Sequence, residues 1–482
     1  MTTWEAVIGI ETHVELQTAS KMFCGCPVEF GDEPNTAVCP VCLALPGALP
    51  VANEQAIEGI LSIAEALDCT LAETSLFYRK NYFYPDLPKN YQISQFTFPV
   101  GVDGHLDLEV GGEMTRIGIT RVHMEEDTGK SLHQGETGRI HGAAHTLIDF
   151  NRAGVPLVEV VTEPDIRSAD QARAYGTELQ RIVRALGVSD ARLEEGSMRF
   201  DANVSLRPRG SDRLGIRSEV KNVNSLRSMQ RAIAYEIERQ TEVLEGGSDV
   251  VQETRHWNEE SGVTTSMRSK EESEDYRYFQ EPDLLPLHID EAWRRRVQAR
   301  RPELPAKKRA RYRELGADAA VAALLVDSPD LATLFEEAVA AGAEPRPVGI
   351  WLSGEVVAYL RREQTTIGDT GLRSGDLVEL AAMTAGGDLS STAAKEVLGA
   401  VLAGEGNAQA VAEARDLFQI SDVSAIETVV DGVLAANTEA VAKIQGGDSK
   451  PVGFLVGQVM RATGGKADPK VVHELIRAKA TG

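Results

Sequence analysis

The chain changes its pattern of apolar and polar positions near residue 290. Before that point, short runs of alternating apolar and polar residues are separated by Gly, Pro, Asn and Asp. This period of two predicts β-strands with one buried face. Beyond it, apolar residues recur every three to four positions, as in 319–342 and 348–363, which predicts helices. The pattern therefore predicts an α+β protein: an antiparallel sheet domain over 1–293, an all-α helical domain over 294–405 and a small helical tail domain over 406–482.

Three predicted strands carry charged side chains on one face and apolar side chains on the other. In 6–16, Glu11 and His13 alternate with apolar residues. Asp201 alternates in the same way in 197–207, and Glu219 shares a face with Lys221 in 215–223. The simplest interpretation is a half-buried sheet whose polar face meets solvent. Solvated faces are usually rich in Lys, Thr and Gln, however, whereas these strands carry isolated acids and an imidazole.

A fourth predicted strand, 115–127, ends in consecutive acids. The period of two predicts one shared face for five residues: Ile117, Ile119, Arg121, His123 and Glu125. Glu126 would then lie on the other face, and His123 is expected to pack within the strand rather than to bind a ligand. The following Gly129-Lys130-Ser131 resembles the end of a phosphate-binding loop, but Met124 stands where that loop needs a glycine.

Carboxylates gathered on one sheet face repel each other unless a divalent cation lies among them. Mg²⁺ prefers oxygen ligands and accompanies substrate phosphates, which neighbouring Arg and Lys side chains would hold. The strands therefore favour a nucleotide site on a sheet face rather than on a glycine loop. The acids 125–127 would supply metal oxygens, with Lys130 as a nearby positive charge.

Four of the five cysteines lie within 19 residues, as Cys24-x-Cys26 and Cys39-x-x-Cys42. Two close pairs joined by a loop predict a tetrahedral Cys₄ zinc site, which is closed and therefore structural. The alternatives are a set of reduced, buried thiols or a redox role. The segment 24–42 contains three acids and neither Lys nor Arg, which disfavours a zinc ribbon that binds nucleic acid.

Composition narrows the class of protein further. The chain has 482 residues and a formal charge of −23, which argues against a protein that coats nucleic acid. Five cysteines argue against a disulfide scaffold, and the sequence has no apolar run long enough for a membrane span and no signal peptide. A cytoplasmic protein without membrane partners is expected.

A basic run interrupts this acidic background at 294–313, where ten basic residues accompany one acid. A solvated helix face is one interpretation, and contact with nucleic-acid phosphates is the other. The predicted tail domain adds four more basic candidates for phosphate contact: Lys443, Lys450, Arg461 and Lys466.

Seven segments occur in an order that resembles the GatB family, one of the subunits of the aspartyl/glutamyl-tRNA amidotransferase. They are GIETHVELQT (9–18), the cysteine segment 24–42, FYRKNYFYPDLPKNYQISQ (77–95), RVHMEEDTGKS (121–131), DFNRAGVPLVEVVTEPD (149–165), MRFDANVSLRP (198–208) and SEVKNVNS (218–225). The resemblance runs from about residue 4 into the helical tail.

The resemblance implies a cradle-shaped sheet domain similar to glutamine synthetase and guanidino kinases, followed by helical domains that contact tRNA. It implies ATP- and Mg²⁺-dependent phosphorylation of the side-chain carboxylate of Glu-tRNA(Gln) or Asp-tRNA(Asn), and displacement of the phosphate by ammonia. The implied partners are a glutaminase (amidase) subunit, a small third subunit that completes a heterotrimer, and tRNA(Gln) or tRNA(Asn). The matching aminoacyl-tRNA synthetase is a further candidate.

Under this resemblance the strand residues receive roles. Magnesium and phosphate contacts are expected from Glu11, His13, Glu125, Glu126 and Glu159. A second metal, or deprotonation of ammonia, is expected to involve Asp201 and Glu219. Phosphate or the substrate carboxylate is expected to meet Arg79, Lys80 and Lys221. Glu11, His13, Lys80, Glu126, Asp201 and Glu219 are the candidate catalytic residues.

Two other functions fit the same residues. One is a non-catalytic tRNA-binding scaffold subunit whose acidic sheet is only structural. The other is a stand-alone ATP-dependent amide ligase that acts on a small acid. The sequence contains no cysteine or serine nucleophile with a credible partner outside the cysteine segment, so an ammonia source on another polypeptide is expected.

Overall fold

The described strands lie in the part of the chain with alternating residues, and the part with helical spacing forms helices, which confirms the α+β class. Three helices within the first part were not predicted. A computed structural model describes residues 3–134, 143–223, 225–269, 275–420, 423–447 and 449–481. Contacts divide the chain into two units, Met1–Pro305 and Ala306–Gly482.

The strands all lie in the first unit. They are β1 (Trp4–Glu15), β2 (Thr70–Leu71), β3 (Thr74–Ser75), β4 (Tyr78–Asn81), β5 (Tyr91–Ser94), β6 (Gly101–Val110), β7 (Glu113–Glu126), β8 (Lys130–Gln134), β9 (His145–Asp149), β10 (Pro156–Thr162), β11 (Met198–Pro208), β12 (Ser218–Val223), β13 (Glu253–Asn258), β14 (Val263–Ser269), β15 (Phe279–Gln280) and β16 (Leu287–His288). The predicted strands that carry Glu11, Asp201 and Glu219 are confirmed as β1, β11 and β12.

Twelve of these strands form one sheet with the order β14-β13-β12-β11-β1-β10-β7-β5-β4-β15, and β6 joins it beside β7 and carries β2. Every pair in this sheet is antiparallel except β12 with β13, which is parallel. Two further pairs, β3 with β16 and β8 with β9, lie outside it. The four strands β11, β1, β10 and β7 are thus consecutive neighbours at the centre.

Helices α1 (Glu54–Ala66), α2 (Ala169–Ala185) and α3 (Leu226–Glu245) cover one face of the sheet. Each begins at a residue whose side chain accepts a hydrogen bond from an N–H of the first turn: Asn53, Ser168 and Ser225. Where α2 meets α3, Gly176 permits close approach, because a Cβ there would lie 2.6 Å from Leu226 Cδ2. The opposite face of the sheet is therefore left to the polar side chains.

A β-bulge divides β7 into two halves, and the alternation of core-facing side chains shifts by one residue between them. Arg121 pairs with Val161 and Ile119 with Thr162, so Thr120 is the extra residue. Ile117 and Ile119 are buried in the core, and beyond the bulge Val122 and Met124 take over that position. The prediction that Ile117 and Ile119 share a face with Arg121, His123 and Glu125 is therefore wrong, because an inserted residue reverses the alternation.

The basic run 294–313 forms two helices, α4 (Glu291–Arg300) and α5 (Pro305–Glu314). In the first unit, Arg300 forms an ion pair with Glu58 on α1. Arg294 donates to the carbonyl of Ala72 over 3.1 Å, and Arg301 donates to the carbonyl of Glu65 over 3.4 Å. These three guanidiniums therefore help to hold α4 in place.

The described secondary-structure elements of the second unit are helices. Its further helices are α6 (Ala319–Asp327), α7 (Pro329–Ala340), α8 (Pro345–Trp351), α9 (Val357–Glu363), α10 (Ser374–Ala385), α11 (Ser391–Leu402), α12 (Ala408–Ala414), α13 (Val423–Ala436), α14 (Thr438–Gln445), α15 (Lys450–Ala462) and α16 (Pro469–Thr481). A π-helical turn, Leu352–Val356, joins α8 to α9. One hydrophobic cluster runs from Tyr312 to Ala412 and another from Ile426 to Ala480. Among the described helices, none combines the length and apolar content that a bilayer crossing needs.

Candidate active site

The polar face of the four central strands carries two in-register rows of side chains. Arg199 pairs with His13, His13 with Glu159, and Glu159 with His123, so these residues cross β11, β1, β10 and β7 in one line. The neighbouring line consists of Asp201, Glu11, Val161 and Arg121. Residues that are far apart in sequence thereby become direct neighbours. We call these two lines the polar array.

The most buried part of the site consists of His123 and Glu159 of the polar array and of Glu125, which follows two residues after His123 on β7. The Nε2 atom of His123 lies 3.3 Å from Glu159 Oε2 and 3.5 Å from Glu125 Oε1. His13 approaches from the other side, with Nε2 at 3.8 Å from Glu159 Oε2. His123 was expected to pack within its strand, and it is indeed fully buried, but the structure also places it in contact with two carboxylates that were predicted to bind metal.

Charge dominates this group. Burial would lower the pKa of His123, but Glu159 and Glu125 outweigh burial and raise that pKa to about 9. Burial would raise the pKa of Glu159, but His123 together with His13 and Lys80 outweighs burial and holds the pKa well below its usual range. The imidazolium neutralises part of the charge of the two carboxylates, a task that a divalent cation would also perform.

The donor set fits a divalent cation. His123, Glu125 and Glu159 each offer one ligand atom, and these atoms lie within 4.8 Å of one another. Opposite ligands of Mg²⁺ are about 4.2 Å apart, so small side-chain shifts would close the set around an ion. Both ring nitrogens of His123 lack a hydrogen bond of correct geometry to any other described residue, which points to a further ligand in the group.

A second acidic group adjoins the first along β1, β11 and β12. Glu11 accepts a hydrogen bond from Asn203 Nδ2 over 3.1 Å. The Nζ atom of Lys221 lies 3.2 Å from Glu219 Oε1 and 3.8 Å from Asp201 Oδ2. Burial raises the pKa of Glu11, and Glu159, Glu219 and Asp201 raise it further. This repulsion is the physical reason why a cation would bind here.

Lys80 reaches the polar array from β4. Its Nζ atom lies 3.9 Å from Glu125 Oε1 and 5.2 Å from the ring centroid of Tyr276. Burial would lower the pKa of Lys80, but Glu125 together with Tyr278, Tyr82 and Glu159 outweighs burial and raises it. The ammonium is therefore positively charged beside the group His123, Glu125 and Glu159.

Two predicted site residues lie away from the polar array. Arg79 donates two hydrogen bonds to Glu281, over 2.6 and 2.8 Å, and its guanidinium lies over the ring of Tyr91. Glu126 forms an ion pair with Lys89 and accepts a hydrogen bond from the backbone N–H of Ile93 over 2.9 Å. Arg79 precedes Lys80 on β4 and Glu126 follows Glu125 on β7, and consecutive strand residues point to opposite faces.

Asp127, which was predicted to supply a metal oxygen, instead lies beside the array between Arg199 and Arg152 and forms a carboxyl pair with Glu15, a residue to which the sequence analysis gave no role. Burial would raise the pKa of Asp127, but Arg199 and Arg152 outweigh burial and lower it to about 2. Arg199 Nη2 donates to Asp127 Oδ2 over 3.1 Å. Burial raises the pKa of Glu15 to about 8, with Asp127 as the second cause. Glu15 follows His13 at the same period of two, and that was the signal in the sequence.

The cysteine segment has the geometry of a Cys₄ metal site. The sulfurs of Cys24, Cys26, Cys39 and Cys42 all lie within 4.8 Å of one another, and none of these residues forms a disulfide. The Cys39 and Cys42 sulfurs are 3.9 Å apart, close to the roughly 3.8 Å between two thiolates on tetrahedral zinc. The residues present therefore fit structural zinc.

The loop that carries these cysteines is attached to the segment before β10. Asn35 donates to the carbonyl of Ile148 over 3.0 Å, and the Ala37 N–H donates to Asn151 Oδ1 over 2.9 Å. Lys21, which is fully buried, donates to the carbonyl of Phe150 over 3.2 Å. The cysteine loop thus supports the chain just before the strand that presents Glu159.

Comparison with known proteins agrees with this architecture. Residues 6–295 match the family described as the GatB/GatE catalytic domain, and residues 333–479 match the family described as the GatB domain. Similar proteins include the B subunit of the aspartyl/glutamyl-tRNA(Asn/Gln) amidotransferase of Frankia casuarinae, which is 51% identical over 98% of this chain and 95% of the relative. The protein of the same name from Moorella thermoacetica is 50% identical over 99% of both chains. The chain belongs to the GatB family, as its sequence motifs predicted.

Proposed function

We propose that this chain is the kinase and amide-forming subunit of a glutamine-dependent, tRNA-dependent amidotransferase, a ligase that converts Glu-tRNA(Gln), Asp-tRNA(Asn) or both to the amidated forms. The observation that carries the proposal is the polar array. Across four adjacent strands it combines carboxylates, two imidazoles and flanking cations on a single face, the requirements of metal-assisted phosphoryl transfer.

The reaction needs an activated carboxylate. An oxygen of the side-chain carboxylate attacks the γ-phosphorus of ATP, and ADP leaves with the bridging oxygen, giving an acyl phosphate. Ammonia then attacks the acyl carbon, inorganic phosphate leaves, and the surplus proton passes to a base. Phosphoryl transfer asks the protein mainly to position the reactants and to neutralise charge, so no covalent nucleophile is required.

The roles follow from position in the array. Glu125 and Glu159, with His13 and Glu11 beside them, would hold Mg²⁺, which would neutralise phosphate oxygens. His123 joins this set because its ring contacts both carboxylates.

The residues at either side of that group have different tasks. Asp201 and Glu219 would hold a second ion or accept the proton from ammonia, and Lys80 and Lys221 would meet anionic oxygens of the substrates. Arg79 and Glu126 take structural tasks instead, because each is already held in an ion pair away from the array.

The proposal includes partners and a compartment. A separate glutaminase (amidase) polypeptide would supply ammonia, a small third polypeptide would join the two into a heterotrimer, and the complex would act in the cytoplasm. The matching synthetase is a candidate supplier of mischarged tRNA. The helical part, a domain over 294–405 and a tail over 406–482, would contact tRNA phosphates. Relatives of the whole chain carry names that include tRNA(Asn/Gln), which supports the proposal that this chain contacts tRNA.

The central test uses the assembled complex with ammonia as nitrogen donor, ATP and a mischarged tRNA. Glu159→Gln should lower the rate of amide formation by about 100-fold or more, while the partner's glutaminase activity persists. Glu163→Gln is the matched control, since this exposed acid follows on the same segment and bonds to Thr120. Normal amidation by Glu159→Gln would support a scaffold role, and amidation of free glutamate would support a stand-alone ligase.

Zinc is proposed as the structural metal of the cysteine loop. Cys39→Ser should reduce bound zinc from about one ion per chain to nearly none, because three thiolates hold zinc far more weakly than four. Metal analysis of the purified protein measures this directly. Cys69→Ala is the control, because Cys69 lies outside the loop, and undiminished zinc in Cys39→Ser would refute the assignment.

A further inference from the structure

Two arginines on the polar array have donors without partners. Arg121 Nε and Arg199 Nε are buried and have no hydrogen bond to any residue that the structure describes. Leaving such a donor without an acceptor is energetically unfavourable. Both arginines lie on the one sheet face that carries the polar array, and buried donors without an acceptor in a native protein point to a ligand.

The two guanidiniums stand at opposite corners of the polar array. Arg199 lies on β11 and Arg121 on β7, three strand spacings away, and the two residues belong to different rows. Three spacings amount to about 14 Å, and side chains stand roughly perpendicular to a sheet. The two arginines therefore present their free N–H groups at separate places, on either side of Glu159.

Different anchors fix the two side chains. The guanidinium of Arg121 lies 4.3 Å from the ring centroid of Phe96, and Phe96 stacks on Tyr278 with the ring centroids 5.4 Å apart. Arg199 instead donates to Asp127. Each anchor holds one part of the guanidinium and leaves Nε–H for another acceptor. Arginine in this state is suited to phosphate or carboxylate oxygens.

The surroundings distinguish the two corners. Near Arg121, four aromatic rings form a connected group: Phe96, Tyr278, Tyr276 and Tyr82. Phe96 is 41% exposed, so a flat ring could stack against this group, as nucleobases do on aromatic side chains. Near Arg199 the neighbours are carboxyl groups and His13. A nucleotide therefore fits the Arg121 corner better.

We propose that Arg121 binds the phosphates of the nucleotide and that Arg199 binds the anionic side chain of the acceptor amino acid, so that the two substrates approach Glu159 from opposite corners. This inference rests on the proposed function, because it assigns positions to the two substrates of that reaction. Arg79, which the sequence favoured for this task, is excluded by its bidentate bond to Glu281.

The test measures KM for ATP and KM for mischarged tRNA separately, in the assembled complex with saturating ammonia. Arg121→Met should raise KM for ATP at least tenfold and leave KM for the tRNA within twofold. Arg121→Lys should recover part of the loss. Arg116→Met is the matched control, because Arg116 is on the same strand but already donates two hydrogen bonds to Asp107; both of its KM values should stay within twofold.

Arg199→Met should give the opposite pattern, with KM for the tRNA raised at least tenfold and KM for ATP within twofold. Asp127 would retain Arg152, whose Nε lies 3.4 Å from its Oδ2, and thermal unfolding would verify that the variant is folded. If it is not, Arg199→Lys keeps the charge near Asp127 and should raise KM for the tRNA at least threefold.

The outcomes separate two failures. If the wild-type complex forms no amide from ammonia and ATP, the proposed function falls. If the wild type is active but both KM values of Arg121→Met stay within twofold, the inference falls and the function stands. If Arg121→Met instead raised KM for the tRNA and Arg199→Met raised KM for ATP, the inference would also be overturned.

Discussion

At the scale of single residues, Glu15 and Asp127 differ in protonation although they are neighbours. Burial and then Asp127 raise the pKa of Glu15 to about 8. Burial would raise the pKa of Asp127 as well, but Arg199 and Arg152 outweigh burial and lower it to about 2. Two adjacent carboxyls cannot both ionise at low cost, so near neutral pH Glu15 keeps a proton and donates it toward Asp127. Because only Asp127 is ionised, the pair holds Arg199 in position while adding one negative charge rather than two.

This pair gives stability a pH dependence with a definite sign. Between the ordinary Glu value of 4.5 and about 8, folded Glu15 binds a proton that the unfolded chain has released. The free energy of unfolding therefore falls as pH rises through this window. Glu15→Gln imitates the protonated acid at every pH. From pH 5 to pH 8, the wild type should lose about 1–3 kcal/mol relative to Glu15→Gln, measured by urea unfolding.

The control for this measurement is Glu29→Gln, an exposed acid of the cysteine loop. Its unfolding curve should follow the wild type across the same pH range. Parallel pH dependence in Glu15→Gln and the wild type would contradict the assigned pKa of Glu15, because the variant has no carboxyl to titrate at this position.

At the scale of elements, the last two residues of β7 have different structural roles. Glu125 faces the polar array and contacts Lys80 and His123. Glu126 faces the opposite side, where it pairs with Lys89. Glu125 therefore belongs to the candidate site, whereas Glu126 supports the cysteine loop. Lys89 and Glu126 both line the cavity beside that loop.

Neutralising each acid in turn should separate these tasks. Glu126→Gln should lower the free energy of unfolding by about 2–4 kcal/mol, because it leaves Lys89 buried without a counter-charge. Glu125→Gln should lose amidation activity, while its stability without Mg²⁺ stays within about 1 kcal/mol of the wild type, since a repulsion with Glu159 disappears. Thermal unfolding and the ammonia-dependent assay measure the two effects, and equal loss of activity at equal stability would contradict the assignment.

The strands were predictable because alternation is a local signal, and it located the segments that carry Glu11, Asp201 and Glu219. The pairing of these strands was not predictable, because it joins distant residues: Asn203 and Glu11, which share a hydrogen bond, are 192 positions apart. The bulge at Thr120 was equally hidden, because it depends on the partner strand β10. The ion pair of Arg79 was hidden for the same reason: its partner Glu281 is 202 positions away.

At the scale of the whole molecule, the described hydrophobic clusters do not cross the boundary between Pro305 and Ala306. The cluster of the first unit reaches Val297 and Leu304, and those of the second begin at Tyr312. Each unit therefore has apolar residues of its own to bury, which is the requirement for independent folding.

Expression of the two units as separate polypeptides should test this division. Residues 306–482 should give a helical circular dichroism spectrum and a cooperative thermal transition, because two internal clusters support the helices. Residues 1–305 should retain the zinc that we propose for the cysteine loop. A fragment 306–482 that stays unfolded under native conditions would show that its helices depend on the first unit.

The bulge at Thr120 shows how sensitive the polar array is to the number of residues in its strands. In β1, one added or deleted codon between Ile8 and Val14 would turn His13 or Glu11 toward the apolar core and bring isoleucine or valine to the solvent side. A change of two codons would restore the facing but shift the imidazole along the strand by about 6.6 Å, one full row away from Glu159. Length variation among descendants of this chain should therefore be confined to the loops, with the central strands inherited at constant length.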